Sequence, residues 1–257
     1  MNVKDQVIVI TGASGGIGEA VAIEVARRGA RGVVLAARRK DELARVASQL
    51  GAPAVWAPID VTRRADNEQL REIALAKFGA IDVWINNAGR AISRPVSQLT
   101  DEDLDEMFAV NVKSVVYGIQ AVLPHFRERK RGHIITVSSG LSRFPFAHQR
   151  SAYSASKAAV NLLMASLRVE LRDELPDIHT TTVIPGVVAT DFGLNARHGG
   201  VDNRHLPNAQ PVAEVAAVIA DAIAKPVAEV YTRPQMRELA AKYFSAEDVA
   251  VIERQFG

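Results

Sequence analysis

The chain passes through Thr11-Gly12-Ala13-Ser14-Gly15-Gly16-Ile17-Gly18 between an apolar run, residues 7–10, and a segment with helical spacing. This order indicates a strand, a glycine turn and a helix. The spaced glycines Gly12, Gly16 and Gly18 leave room for a tight turn, for a pyrophosphate close to the backbone, and for packing of helix on strand. The helix N-terminus offers unpaired N–H groups to that anion. The stretch therefore predicts a phosphate-binding turn.

The same stretch contains a serine in a second known pattern. Residues 12–16 match the G-x-S-x-G elbow of serine hydrolases, which also joins a strand to a helix. Such an elbow needs earlier strands and an upstream loop for the oxyanion hole, whereas ten residues precede Thr11. We therefore expect Ser14 to contact phosphate rather than to act as a nucleophile.

Composition limits the classes of protein that this chain can represent. A hydrophobic fraction of 48% in 257 residues suffices for a sizeable core. Basic residues number 31 against 29 acidic ones, and they form no dense run with interleaved aromatics, so we expect no nucleic-acid partner. The absence of cysteine excludes disulfides and thiolate metal sites. Without a signal segment or an apolar run of about 18 residues, a cytoplasmic protein with no membrane partner is expected.

Short apolar runs alternate with segments of helical spacing along the chain. The runs are residues 7–10, 33–37, 54–59, 81–85, 132–139, 180–184 and 227–231. Continuous apolar runs are typical of parallel strands that are covered on both faces. No linker or repeat interrupts the alternation. We predict an α/β fold with one domain over 1–257, a Rossmann-type doubly wound parallel sheet in three layers, α/β/α.

Polar residues collect after two strands and at the start of one helix. Asp60 follows the third run, where it could meet an adenine amino group or simply introduce the next helix. A polar turn, Asn86-Asn87-Ala88-Gly89, follows the fourth run. Tyr153 and Lys157 are an i,i+4 pair, so they share one helix face.

Six short motifs occur along the chain in one order. They are T-G-x(3)-G-x-G at 11–18, N-N-A-G at 86–89, a helix asparagine at Asn111, a strand-end serine at Ser139, Y-x(3)-K at Tyr153 and Lys157, and P-G with a later threonine at Pro185, Gly186 and Thr190. In this order they resemble the short-chain dehydrogenase/reductase family, and the resemblance covers essentially the whole chain.

The resemblance implies hydride transfer between a nicotinamide cofactor and an alcohol or carbonyl group. Tyr153 would be the general acid/base if its ordinary pKa of about 10 is lowered, and the charge of Lys157 would stabilise the phenolate. By the same resemblance Lys157 also hydrogen-bonds the nicotinamide ribose, Ser139 orients the substrate oxygen, and Asn111 holds a water that relays protons to Lys157. Alternatively, Ser139 only caps backbone groups and Asn111 only pins its helix to the neighbouring strand.

The resemblance also implies which residues contact the cofactor. They are Gly12, Ser14, Gly16, Ile17, Gly18, Arg38, Arg39, Asp60, Val61, Asn87, Ala88, Gly89, Tyr153, Lys157, Pro185, Gly186, Val188 and Thr190.

The end of the second strand bears on the choice of cofactor. An NAD site usually places Asp or Glu on the ribose 2′-hydroxyl, but here Ala37 stands near that position and Arg38 and Arg39 follow. Arginine suits a 2′-phosphate, which favours NADP(H) over NAD(H). The residues Ser14-Gly15 depart from many NADP-preferring relatives, which carry a basic residue there. The two arginines could instead only begin a surface helix.

The spacing of the catalytic serine departs from the family pattern. Ser139 lies one residue further from Tyr153 than is common in the family, so we expect one extra residue in the loop 140–152. Ser138 is the alternative, since adjacent strand side chains face opposite ways and only one of the two can meet the substrate.

The resemblance places a substrate lid at about 191–210 and leaves an extension from about Thr232. His198 and His205 could touch substrate, but solvated lid histidines are expected. A partly apolar pocket is expected from Ser93, Arg94, Leu141, Phe144, Phe146 and Phe192.

The remaining expectations concern metals, partners and the alternative function. The histidines show no metal-ligand spacing, so no metal is predicted. A homodimer or homotetramer through the helices that contain Asn111 and Tyr153 is implied by the family, with contacts over 158–167. The substrate is expected to be a small-molecule carbonyl compound or alcohol, and its identity stays open. A nicotinamide-binding regulator or scaffold without turnover is the alternative.

Overall fold

The computed structural model describes residues 2–256 and shows seven parallel strands in one sheet. The strands are β1 (Val7–Thr11), β2 (Gly32–Ala37), β3 (Ala54–Pro58), β4 (Val83–Asn86), β5 (Gly132–Val137), β6 (Ile178–Ile184) and β7 (Glu229–Tyr231). Their order is β3-β2-β1-β4-β5-β6-β7, and each neighbouring pair is parallel. The order reverses between β1 and β4, and ligands bind at such a switch point.

Helices cover both faces of this sheet. They are α1 (Gly16–Arg27), α2 (Lys40–Gln49), α3 (Arg64–Phe78), α4 (Asp101–Phe108), α5 (Ser114–Arg129), α6 (Ser151–Leu171), α7 (Val212–Ala224), α8 (Pro234–Ser245) and α9 (Ala250–Glu253). Side chains of α1, α2 and α7 pack with Ile8 and Ile10 of β1, whereas those of α3, α5 and α6 pack with Val7 and Val9. Because successive strand residues face opposite sides, the apolar runs serve two cores. The predicted three-layer α/β/α fold is confirmed.

The helical segment that contains Asn111 includes one wider turn. It begins with a capping box, in which Thr100 Oγ1 accepts from Asp103 N at 3.3 Å and Asp103 Oδ2 accepts from Thr100 N at 3.3 Å. A π-helical turn, Ala109–Lys113, then separates α4 from α5. This turn contains Asn111, and such turns are frequent at functional sites. The chain stays helical through this turn, where Asn111 is held by bonds to Arg90 and Ser156.

The helical segment 101–129 is long and apolar enough to span a bilayer by length and composition alone. Its most apolar window has a mean hydropathy of 1.3, and 44% of that window is buried in the protein. Val115, Val122 and Phe126 pack in the same core as the sheet. We therefore interpret the segment as a core helix.

The C-terminal extension packs on the loop that follows β5. The Phe144 ring lies 6.1 Å from the ring of Tyr243 and 5.8 Å from that of Phe256, and 5.6 Å from that of Phe146. Met236 of α8 lies directly against Gly140. The extension thus covers Phe144 and Phe146, and the expectation that these two rings line the substrate pocket is wrong.

Candidate active site

A cavity of about 690 Å³ opens at the carboxyl ends of the central strands. Its volume is in the range of small-molecule sites. With two exceptions, every residue that the sequence assigns to catalysis or to the cofactor lines this cavity. The exceptions are Gly18 and Asn111. The structure therefore brings together residues as distant in the chain as Gly12 and Thr190.

The glycine turn adopts a backbone that side chains would block. Gly12 and Gly16 have φ angles of +67° and +57°, in the left-handed region. A Cβ on Gly12 would lie 2.8 Å from the Cα of Ala88. On Gly18 it would lie 2.4 Å from the carbonyl oxygen of Gly12, so Gly18 serves the packing of α1 on the turn. Gly16 and Ile17, at the N-terminus of α1, line the cavity.

The polar turn after β4 holds the glycine turn in place. Asn87 Nδ2 donates to the carbonyl oxygens of Thr11 at 2.9 Å and of Gly12 at 3.2 Å. The N–H groups of Asn87 and Ala88 donate to Thr11 Oγ1 at 3.1 and 3.2 Å. These bonds join β1 to β4 across the switch point, and they give Asn87 a positioning role beside its place in the cavity wall.

Arg38 and Arg39 both lie at the cavity rim and are exposed. Arg39 Nε donates to Ser14 Oγ at 3.2 Å, and its Nη2 donates to the Ser14 carbonyl oxygen at 3.1 Å. Arg39 thus lies across the glycine turn and brings a positive charge to Ser14. The helix α2 begins at Lys40, so both arginines also precede a surface helix.

Asp60 lines the cavity but has a local structural partner as well. Its Oδ1 accepts from the N–H of Thr62 at 3.0 Å and from Thr62 Oγ1 at 2.7 Å. The carboxylate therefore stabilises the entry to α3, which is the alternative that the sequence left open. Val61 lies beside it in the cavity wall.

Tyr153 and Lys157 lie in the first turns of α6 and are buried, with exposed fractions of 7% and 3%. Lys157 Nζ donates to the Val137 carbonyl oxygen at 2.8 Å and lies 5.9 Å from the centroid of the Tyr153 ring. Burial lowers the pKa of Lys157 to about 8.

The pKa of Tyr153 is raised, and not lowered as expected. Burial, which disfavours the phenolate, is the main cause, while a hydrogen bond with Ser139 and the charge of Arg150 act in the opposite direction. Tyr153 is consequently protonated at neutral pH, which is the state of a proton donor.

The two serines after β5 face different groups. Ser138 Oγ donates to the Lys157 carbonyl oxygen at 3.4 Å, so it faces the backbone of α6. Ser139 interacts with the hydroxyl of Tyr153, and its Oγ accepts from the N–H of Leu141 at 3.2 Å. The short 3-10 turn Gly140–Ser142 lies in the loop where an extra residue is expected. This geometry favours Ser139 as the serine that meets the substrate.

Asn111 is fully buried behind the cavity wall and its side chain is held from several sides. Its Oδ1 accepts from the N–H of Arg90 at 2.9 Å, and its Nδ2 donates to the Arg90 carbonyl oxygen at 2.9 Å and to Ser156 Oγ at 3.0 Å. The side chain thus pins the π-helical turn to the segment after β4. A Cβ on Gly89 would lie 3.2 Å from Asn111 Oδ1 and 3.5 Å from Lys157 Nζ. Asn111 and Lys157 are therefore neighbours, and the water relay stays a prediction.

The sequence interpretation missed Arg90 and Glu106, which both line the cavity. Arg90 Nη1 forms an ion pair with Glu106 Oε1 at 2.5 Å. The position of Arg90 directly after N-N-A-G is a signal that could have identified it. Glu106 has no local signal, because it reaches the cavity only through the packing of α4 against the segment after β4.

Only some of the residues expected in the substrate pocket line the cavity. Phe192 lines the cavity with its ring 5.8 Å from that of Tyr153, whereas Ser93, Arg94 and Leu141 lie outside the lining. His198 is exposed, in agreement with a solvated histidine, although its Nε2 also bonds to the carboxylate of Asp103 at 2.8 Å. The side chain of His205 is 84% exposed, in agreement with a solvated histidine.

Within residues 2–256, no group of three or more His, Cys, Asp or Glu side chains is close enough to hold a metal ion. The cavity is lined by a tyrosine, a lysine, hydroxyl groups and backbone groups.

Comparison with known proteins assigns the class. A family model described as short chain dehydrogenase matches residues 6–199. An uncharacterized oxidoreductase of Listeria innocua is 42% identical over 197 residues, which cover 75% of this chain and 78% of that protein. The chain therefore belongs to the short-chain dehydrogenase/reductase family, as the sequence resemblance predicts.

Solved structures agree with this assignment. An alcohol dehydrogenase from the archaeon Thermococcus sibiricus, complexed with 5-hydroxy-NADP, has a TM-score of 0.78 and 28% identity, covering 89% of this chain and 96% of its own. A short-chain dehydrogenase/reductase from Burkholderia phymatum, in complex with NAD, has a TM-score of 0.86 and 25% identity, covering 100% and 97%. Within the family the protein is an oxidoreductase acting on CH–OH or C=O groups. Its structural relatives bind NADP-type and NAD cofactors alike.

Proposed function

We propose that the protein is an NADP(H)-dependent oxidoreductase that interconverts a carbonyl compound and a secondary alcohol, with Tyr153 as general acid/base. The observation that carries this proposal is the placement of the Tyr153 hydroxyl beside Ser139 in the same cavity as the glycine turn. A proton donor and a dinucleotide-binding turn share one cavity, as hydride transfer to a carbonyl requires.

The residues present fit a nicotinamide dinucleotide. The glycine turn leaves an open cradle, in which a Cβ on Gly16 would approach Thr190 to 3.3 Å and one on Gly15 would approach Arg39 to 3.0 Å. Gly16 and Ile17 at the start of α1 would hold the pyrophosphate. Arg38 and Arg39 at the rim would hold a 2′-phosphate. When bound, the nicotinamide exchanges the hydride with the substrate carbon.

The protein's own residues bind the substrate oxygen and exchange a proton with it. In reduction, the proton of Tyr153 Oη moves to the carbonyl oxygen as the C–H bond forms at carbon, and the phenolate remains on Tyr153. Ser139 Oγ orients that oxygen by a hydrogen bond. The ammonium of Lys157 stabilises the phenolate, and reprotonation through a water near Asn111 restores the tyrosine. In alcohol oxidation the phenolate takes the hydroxyl proton instead.

A carbonyl and alcohol panel tests the function. The purified protein is expected to consume NADPH, followed by its absorbance, with at least one ketone or aldehyde of the panel. Tight NADPH binding without turnover across a broad panel would favour the regulator or scaffold alternative and would contradict the proposal.

The two rim arginines test the cofactor preference. Arg38→Asp and Arg39→Asp are each expected to weaken NADPH binding about 10-fold to 100-fold, since a charge-assisted bond to phosphate contributes about 1.5–3 kcal/mol. NADH binding should change far less, because it has no 2′-phosphate. Calorimetric titration with both cofactors gives the comparison.

Lys40→Asp is the matched control for these variants. It makes the same change of charge at the neighbouring exposed residue, which lies outside the cavity wall, and it should leave NADPH binding near the wild-type value. Equal losses for NADPH and NADH in both arginine variants would show that these residues are only surface charges.

We also propose a homodimer or homotetramer through α5 and α6. The outer face of α6 exposes Leu162 and Val169, each 62% exposed, between small residues, and water contact of such a stripe is unfavourable. Sedimentation should show an oligomer that Leu162→Glu converts to smaller species. Val96→Glu, at a residue that is 73% exposed elsewhere, should leave the state unchanged. A monomeric wild-type protein would contradict this assembly.

A further inference from the structure

A buried carboxylate joins the lid to the body of the protein. The side chain of Asp103, in the first turn of α4, has an exposed fraction of 0%. Its Oδ1 accepts from Arg197 Nε at 2.5 Å and from His198 Nε2 at 2.8 Å, both in the lid. Its Oδ2 accepts from Arg94 Nη1 at 2.9 Å, in the segment that follows β4. One carboxylate thus connects three separate parts of the chain.

The hydrogen-bond donors around Asp103 make it possible to bury its carboxylate in the charged form. Removal of a carboxylate from water is unfavourable unless several donors replace the lost hydration. Burial raises the pKa of Asp103, but the hydrogen bonds from His198 and Arg197 outweigh that effect and hold the pKa well below its usual range. Asp103 is therefore ionised. The same hydrogen bonds fix the positions of Arg197 and His198 in the lid.

A second carboxylate also connects the lid to the body of the protein, next to the cavity. Glu106, one turn further along α4, accepts from Arg197 Nη1 at 2.5 Å and pairs with Arg90 Nη1 at 2.5 Å. Arg90 is the residue whose backbone is held by Asn111. Arg197 of the lid is therefore connected, through Glu106, to the cavity wall.

The lid backbone at His198 adopts an uncommon conformation. His198 has a φ angle of +64°, in the left-handed region, where residues other than glycine are uncommon. The N–H of Arg197 donates to the Ala91 carbonyl oxygen, and the N–H of Ser93 donates to the Arg197 carbonyl oxygen, each at 2.9 Å. Such a conformation persists where the surroundings determine it, and the side chain of Asp103 is part of those surroundings.

The anchored stretch reaches the catalytic tyrosine. Ala196, next to Arg197, packs in a small apolar cluster with Met107 and Tyr153. Phe192, in the first turn of the lid, packs against the same cluster and against the ring of Tyr153. Displacement of the stretch at Arg197 would therefore alter the wall beside the Tyr153 hydroxyl.

We propose that Asp103 is a positioning residue that holds the lid, residues 191–210, against the cavity and thereby sets the affinity for the substrate. This role rests on the proposed function, because it concerns substrate binding at the same site. Asp103 touches neither the cavity nor Tyr153, and it acts through Arg197 and His198 of the lid. It is distinct from the capping role of the same residue, which uses the N–H and hydroxyl of Thr100.

Asp103→Asn tests the proposal. Asparagine keeps the size of the side chain and an acceptor for the cap, but it loses the charge that holds Arg94, Arg197 and His198. With a substrate from the panel, we expect KM to rise at least about tenfold, because ordering the loosened lid uses part of the binding free energy. The kcat should change less than about threefold, and NADPH affinity should stay at its wild-type value.

Three further variants separate the lid from the cap and from general destabilisation. Thr100→Ala removes the capping partner but keeps the lid ion pairs, so it should lower thermal stability and leave KM unchanged. Arg197→Gln loosens the same connection without a change in the buried carboxylate and should raise KM, which keeps the test valid if Asp103→Asn does not fold. Arg204→Gln is its matched control, since Arg204 pairs with Asp202 inside the lid.

Hydrogen exchange gives a readout that needs no turnover. In Asp103→Asn and Arg197→Gln, amides of residues 191–205 should exchange faster than in the wild type, while those of β5 and α6 should not change. Wild-type KM together with wild-type lid exchange in both variants would overturn the proposal. A wild-type protein that reduces no carbonyl would contradict the proposed function only, since lid exchange would still test the anchor.

Discussion

Replacement of Tyr153 with phenylalanine is expected to lower kcat for carbonyl reduction by about 10³-fold, because removal of a general acid costs about 10²-fold to 10⁴-fold in rate. Phenylalanine keeps the ring and its contact with Phe192. The fold and the NADPH affinity should therefore stay near the wild-type values. Single-turnover oxidation of NADPH by Tyr153→Phe, compared with the wild type, measures the loss.

The pH dependence of turnover follows from the raised pKa of Tyr153. The protonated tyrosine donates in reduction, so the rate should be constant through neutral pH and fall as the pH rises through that pKa. Alcohol oxidation needs the phenolate and should rise over the same range. Tyr117→Phe, which changes a tyrosine that stacks on Arg64 of α3, should have neither effect. Full turnover in Tyr153→Phe would exclude Tyr153 as the acid.

Lys157→Met is expected to reduce turnover by a similar factor while it stabilises the unliganded protein. Turnover falls because no positive charge remains beside the phenolate. Stability rises because burial lowers the pKa of Lys157 from 10.5 to about 8, which corresponds to about 3 kcal/mol of unfavourable free energy at neutral pH. Loss of the bond to the Val137 carbonyl oxygen offsets about 1 kcal/mol of this gain.

The sign of this effect can be checked by its dependence on pH. Below pH 8 the lysine is charged in both the folded and the unfolded chain, and the full penalty of burial applies. Between about pH 8 and 10.5 the unfolded chain binds more protons, so the stability of the wild type rises with pH relative to the variant. The advantage of Lys157→Met in thermal unfolding should therefore be present at pH 7 and shrink at pH 10.

Lys77→Met is the control for Lys157→Met. Lys77 is an exposed lysine in the last turn of α3, and its loss should change neither turnover nor the pH dependence of stability. Lower thermal stability in Lys157→Met than in the wild type at pH 7 would show that the ammonium stabilises the unliganded fold.

Much of the fold and of the candidate site is already specified by local sequence features. Apolar runs with helical segments between them suffice for the doubly wound sheet, because parallel strands must be covered on both faces. In such a sheet the carboxyl ends of the strands meet at one edge. Residues placed within three positions after a strand, such as Gly12, Gly89 and Ser139, therefore converge on one cavity, as the sequence alone predicts.

Features that depend on contacts across the chain required the tertiary structure. The π-helical turn at Asn111 forms through bonds to Arg90 and Ser156. Burial is the largest influence on the pKa of Tyr153 and raises it, and the depth of burial cannot be read from the spacing of Tyr153 and Lys157.

The sequence by itself determined the alternation of strands and helices, the glycine turn and the pair of Tyr153 and Lys157, since each depends on residues within a few positions of one another. Only the tertiary structure decided that Ser139 faces the tyrosine and that Asp103 holds the lid. Asp103 and His198 are 95 positions apart, and no local periodicity relates them. Their contact exists because the packing of α4 against the lid removes a carboxylate from water, and nearby donors must then replace its hydration.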